Sequence, residues 1–166
     1  MKPLARIPRR LLLLAALMLA GCAQPVMQRE SDQAASPSWR GRLSLKIESE
    51  PPQSFFAGFE LGGQAQRGEL FLFGPLGNTL SRMRWAPRSA SLQSNGDTRY
   101  FDSLDDLATQ ALGTDIPIAA LFQWLAGQSL EADGWQVDLS QLADGRLWAR
   151  RANPAPAAEL RLILEP

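Results

Sequence analysis

The chain contains no histidine and a single cysteine, Cys22. Without histidine the serines lack the commonest general base. Ser-Lys catalysis needs a lysine, and beyond residue 21 only Lys46 remains, on the expected polar face of a strand. There is no acid-rich metal cluster and no Gly-rich phosphate loop joining a strand to a helix. Asp97, Asp102, Asp105, Asp106 and Asp115 offer material for a carboxylate pair, but they read more simply as turn and helix-start residues. The expectation is a protein that is not an enzyme and has no cofactor or metal.

Long apolar runs are also scarce. The one present, Leu11 to Ala20, follows Lys2, Arg6, Arg9 and Arg10 and is too short to span a bilayer comfortably, so residues 1–21 read as a secretory signal peptide. Leu19-Ala20-Gly21-Cys22 resembles the lipobox of bacterial lipoproteins, in which the cysteine thiol takes a diacylglycerol, the chain is cut on the N-terminal side of the cysteine, and the freed amine is acylated. The alternative is an ordinary cleaved signal with a chance cysteine. An exported chain with no second cysteine forms no internal disulfide, so Cys22 reads as a lipidation site. A triacylated cysteine gives stable anchoring. By the Gram-negative sorting rule, Ala23 rather than Asp after the cysteine points to the outer membrane, with the domain facing the periplasm.

Losing the first 21 of 166 residues leaves 145 and removes four of seventeen basic residues but none of seventeen acidic ones, for a net charge of −4. The length fits one domain with one core, and the charge gives nucleic acid no basic footprint. Residues 22–38 read as the lipidated N-terminus and a flexible tether, polar, without a period, and carrying Pro37. Residues 39–166 form the expected domain.

From Trp39 the dominant period is two. In WRGRLSLKI, Trp39, Leu43, Leu45 and Ile47 alternate with Arg40, Arg42, Ser44 and Lys46, as in a strand with one buried face. SFFAGFEL, GELFLF and TLSRMRW continue the pattern, although Phe71 and Phe73 make the far side of the third strand apolar too. SASLQS and TRYFDS flank Asn95-Gly96-Asp97, a hairpin signal. After Asp102 the period becomes helical. Ser103 is a good N-cap, with Asp105 and Asp106 in the first turn and Gly113 as a stop. A second helix starts at Pro117 and ends at Gly127. GWQVDL, GRLWARR and AELRLIL return to strands. About nine antiparallel strands with a helical insertion imply an α+β layer, helices covering one face of a curled sheet.

Within FLFGPLGNTL, Gly74, Pro75 and Gly77 have turn chemistry, whereas Leu76 between them does not. One reading leaves Leu76 exposed at the loop tip. The other reading folds Leu76 back beneath its own loop. Alternation turns Leu43, Leu45, Phe59, Leu70, Leu72, Met83 and Trp85 inward, and Leu121, Trp124 and Leu125 down from the second helix. Periodicity leaves open whether they fill a core or line a cavity.

The lipobox, the strand start Trp39-Arg40-Gly41-Arg42, the segment Leu70 to Thr79 with its GPLGNT turn, and the G-x-D-I-P-x-x-x-L-x-x-W-L-x-G run from Gly113 to Gly127 occur in one order that resembles the LolB family of outer-membrane lipoprotein receptors. The resemblance covers most of the mature chain. It implies an open, incomplete antiparallel β-barrel with a short helical lid. Its apolar cavity, built by the inward residues above, would receive the acyl chains of lipoprotein cargo from the periplasmic carrier LolA and release them into the outer membrane. It also implies that Leu76, on a tip shaped by Gly74, Pro75 and Gly77, promotes insertion. Family members carry a longer segment with a helix ahead of the first strand, whereas Trp39 here follows the tether almost at once. A monomer is expected. The competing reading is a scaffold or assembly lipoprotein of the outer membrane that binds a protein partner without lipid transfer.

Overall fold

The computed structural model describes residues 37–112 and 116–166. The signal segment, Cys22 and the tether up to residue 36 lie outside the described residues, as do Gly113 and Asp115. Nine strands follow the period-two segments: β1 (Ser38–Ile47), β2 (Gln53–Gln64), β3 (Arg67–Phe73), β4 (Thr79–Ala86), β5 (Ser89–Ser94), β6 (Asp97–Phe101), β7 (Trp135–Asp138), β8 (Arg146–Arg151) and β9 (Ala158–Leu164). Two helices, α1 (Leu104–Leu112) and α2 (Ile118–Leu125), lie between β6 and β7.

All pairings are antiparallel, in the order β6-β5-β4-β3-β2-β1-β9-β8-β7. The first six strands are a meander. The last three run back along the free side of β1, so that β9 pairs with the first strand of the domain, Leu43 opposite Leu162 and Leu45 opposite Leu160. Among the described residues nothing joins β6 to β7, and the result is an open, incomplete barrel whose lid is helical.

Register decides which side chains share a face. Phe55, Leu45, Leu160 and Ala149 form one inward row, and Met83, Leu70, Leu61 and Trp39 another. Most of these are buried, together with Leu107 and Ala108 of α1 and the greater part of α2. Gly41 has a positional reason: a β-carbon there would collide with the Ile163 carbonyl oxygen, so only glycine lets β1 lie this close to β9.

Local chemistry sets the connections. Asn95 and Gly96 both have positive φ, 53° and 87°, as a two-residue hairpin turn requires. Ser103 caps α1: its Oγ accepts from the Asp106 N–H at 3.0 Å and donates to the Asp106 carboxylate at 2.7 Å. α1 packs against β5 and β6. Pro117 occupies the N-cap of α2, one position before the first helical residue. At the other end the Gly127 N–H donates to Trp124 O at 2.9 Å and the Gln128 N–H to Gln123 O at 2.9 Å, with Gly127 at φ +83°. These two bonds satisfy carbonyls that the helix end would otherwise leave unpaired.

Candidate functional site: an apolar cleft and a leucine-tipped loop

The third hairpin is closed by a three-residue loop. The Gly77 N–H donates to Gly74 O at 2.9 Å across Pro75 and Leu76, and the Gly74 N–H donates to Asn78 O at 2.8 Å. Pro75 fits the first central position of this turn, and Gly77 takes the left-handed conformation at φ +79° that ends it. The β3–β4 pairing shifts register just beyond Leu72, where an extra residue re-aims the loop. Gly74 is buried, and a β-carbon on it would press on the Asn78 amide oxygen at 2.7 Å. Leu76 stands at the tip with 95% of its surface exposed, the most exposed large apolar side chain among the described residues. It does not fold back under its loop.

Phe71 and Phe73 stack on the outer face of β3, leading to the loop, with ring centroids 6.1 Å apart. The Arg82 guanidinium lies 4.5 Å from the Phe71 centroid and is held there by a 2.7 Å bond to Glu69. That bond, with Arg84 3.5 Å from the same carboxylate, lowers the Glu69 pKa from its ordinary value against a smaller opposing effect of burial.

Inside the sheet, a wholly apolar cleft of about 40 Å³ lies beneath α2. Of the residues that alternation turns inward, Leu43, Leu45, Phe59, Leu70, Leu72 and Leu121 border it. Met83, Trp85, Trp124 and Leu125 are buried in the core around it and do not contribute to its wall. Phe55, Leu61, Ile116, Ile118, Leu160 and Leu162 complete the wall. Leu43, Phe55 and Ile116 are its half-buried members and mark where it approaches solvent.

The two tryptophans have other work. The Trp85 indole N–H donates to the carbonyls of Gln64 and Ala65 at 3.2 and 3.0 Å, holding the β2–β3 turn. The Trp124 N–H donates to Leu130 O at 2.7 Å, tying α2 to the segment that follows it. Phe122 makes edge contacts with both Trp39 and Trp85, centroids 5.8 and 6.1 Å away. No periodic signal singles out Phe122, because α2 reads IAALFQWL and is apolar nearly all round.

The cleft offers no polar group for chemistry. Its size is also telling. Ligand pockets are typically about 300–1,000 Å³, whereas 40 Å³ is space for only a few waters. In this conformation the interior is almost filled.

Comparison with known proteins places these features in a family. The model of the family described as outer membrane lipoprotein LolB matches residues 37–153, which contain the tip loop, both helices and eight of the nine strands. The chain is similar to an outer-membrane lipoprotein LolB of Chromobacterium violaceum, 30% identical over 83% of this chain and 85% of the relative. It is 29% identical to that of Bordetella petrii over 89% of this chain and 86% of the relative. With that of Cupriavidus metallidurans it shares 32% identity over 78% of this chain and 65% of the relative.

Proposed function

Since the chain belongs to the outer membrane lipoprotein LolB family, we propose that it is a non-catalytic, monomeric receptor, anchored through Cys22 to the outer membrane, that takes acylated lipoproteins from a LolA-like periplasmic carrier and inserts them into that membrane. Residues 1–21 act as the export signal and 22–38 as the lipidated tether. The acyl chains enter beneath α2, against Leu43, Leu45, Phe59, Leu70, Leu72 and Leu121. Met83, Trp85, Trp124 and Leu125 support that wall from behind.

The observation that carries this reading is the pairing of an apolar interior with a rigid apolar tip. A leucine that is 95% exposed forgoes about 2 kcal/mol of burial in the free protein. The loop recovers this only when the tip meets an apolar phase. Pro75 and the left-handed Gly77 fix the tip beforehand, so little conformational entropy is lost on insertion. Because 40 Å³ is far below the volume of an acyl chain, acceptance of cargo requires α2 to lift from the sheet. Apolar walls are suited to this, since their contacts carry no hydrogen bonds to break.

Leu76→Glu tests the tip. The side chain touches nothing that folding needs, so urea unfolding is expected to move by no more than about 0.5 kcal/mol. Delivery of a lipoprotein from the carrier into outer-membrane vesicles is expected to stop, with cargo remaining bound to the receptor. Normal delivery by a folded Leu76→Glu variant refutes the role of the loop.

A further inference from the structure

The family reading accounts for the inner face of the sheet and for one loop, and it leaves the outer face unexplained. Register places three outward rows side by side. Phe73, Gly58, Arg42, Ile163 and Arg146 form the first, running from β3 to β8. Phe56, Ser44, Arg161, Trp148 and Asp138 form the second, from β2 to β7. Ser54, Lys46, Glu159, Arg150 and Gln136 form the third.

Apolar and cationic side chains are interleaved here. Phe56 is 64% exposed, Ile163 52% and Trp148 40%; with Leu76 they make four of the six large apolar side chains that the described residues expose. Arg161 lies 5.5 Å over the Trp148 ring. The three rows hold five cations against two carboxylates, Asp138 and Glu159, with Glu159 engaged by Arg161 at 2.7 Å; Glu165 beside the first row lies 3.7 Å from Arg42, which leaves a local excess of two positive charges. This excess stands out in a chain whose seventeen basic and seventeen acidic residues cancel. The patch also runs into the loop. A groove of about 610 Å³ is lined by Gly41 and Gly58, with Phe56, Phe73, Pro75 and Gly77 at its border; its charges, Arg40 and Arg42 against Glu60 and Glu165, balance, so it continues the apolar part of the patch rather than its positive excess.

We propose that this outer face of β1, β2, β8 and β9 is a membrane-apposed surface that lies on anionic phospholipid headgroups, with Phe56, Trp148 and Ile163 at the interface and Leu76 entering deeper. Exposed aromatic rings beside arginines and lysines suit the boundary between headgroups and acyl chains, where stems and rings bury apolar surface while charges stay wet. Each basic residue near an anionic leaflet strengthens association about fivefold, and the attraction acts within a Debye length. The local positive excess would turn this face, rather than the helical side, toward the bilayer. The proposal rests on the family reading only for the direction of the loop.

Cys22 is the sole cysteine of the sequence and is consumed by the anchor, so one introduced cysteine can be labelled uniquely. The lipidated full chain is reconstituted in vesicles of phosphatidylethanolamine and phosphatidylglycerol that carry a headgroup-level quencher, with a fluorophore at Ile163→Cys or at Gln110→Cys. Gln110 is exposed on α1, against the opposite face of the sheet. Quenching at position 163 is expected to be at least twice that at position 110. The difference should vanish in neutral phosphatidylcholine vesicles, and also when Arg42→Gln, Lys46→Gln and Arg150→Gln are combined. Equal quenching at the two positions, or a preference for 163 that survives in neutral vesicles, overturns the proposal. Failure of the receptor reading is distinguishable: a domain that docks by this face yet delivers cargo normally as Leu76→Glu refutes the loop and leaves the face, whereas loss of delivery without preferential quenching at 163 does the reverse.

Discussion

The two ends of α2 meet the same sheet in different ways. At its N-terminal end Ile118 and Leu121, with Ile116 just before the helix, cover leucines together with Phe55 and Phe59 and leave a small void between them. At its C-terminal end Phe122 is caught between Trp39 and Trp85, the Trp124 indole is hydrogen-bonded at 2.7 Å, and the Gly127 and Gln128 N–H groups close the helix with one bond each. Edge contacts between rings and indole hydrogen bonds are directional and fix a position. Leucine against leucine is not directional, and it tolerates sliding and separation. The helix therefore has a clamped end and a yielding end, and the yielding end is the one over the cleft.

Damage to the clamp should do the most harm. Trp124→Ala empties a fully buried site and removes the indole's bond to Leu130 O, so unfolding in urea is expected to show a loss of about 3–5 kcal/mol. Leu121→Phe sharpens the contrast from the other side. The added volume goes into existing space, so stability should change by less than about 1.5 kcal/mol, while binding of an environment-sensitive fatty-acid probe should fall because the void is filled. If this substitution costs as much as Trp124→Ala, the two ends do not differ. The smallest effect lies outside both. The Glu69 pKa is depressed by Arg82 and then Arg84, so its contribution is present above the unfolded-state value and is lost as pH falls through the lower folded value. Its side chain is 42% exposed, and solvent screening holds the contribution below about 1 kcal/mol. Unfolding curves of Glu69→Gln and the parent chain should therefore converge in acid and separate slightly at neutral pH.

The same contrast explains what the sequence reveals. The strands are legible because one face is wet, so that residues such as Leu43 and Leu45 alternate with Arg42, Ser44 and Lys46. Asn95-Gly96 and Ser103 are legible because their conformations are set by one or two residues. The place of β9 beside β1 is not, since nothing local in AELRLIL names a partner more than a hundred residues earlier. That pairing is what puts Leu160 and Leu162 in the cleft wall. α2 resists reading for the opposite reason: an apolar helix has no period to lose, so the separate tasks of Leu121, Phe122 and Trp124 emerge only from their contacts. Leu76 is an intermediate case: its misfit with turn chemistry singles it out in the sequence, but the choice between an exposed tip and a side chain folded beneath the loop is made only by the structure, which exposes it.

The central claim is that cargo acyl chains pass under the yielding end of α2. The direct measurement places a photoreactive amino acid at Leu121 or at Leu125, loads the receptor with a lipoprotein whose acyl chains are radiolabelled, and irradiates before release. Label should join the chain at position 121 and not at position 125, which lies buried behind the wall. Equal labelling at both positions, or none at 121 with cargo bound, would contradict it.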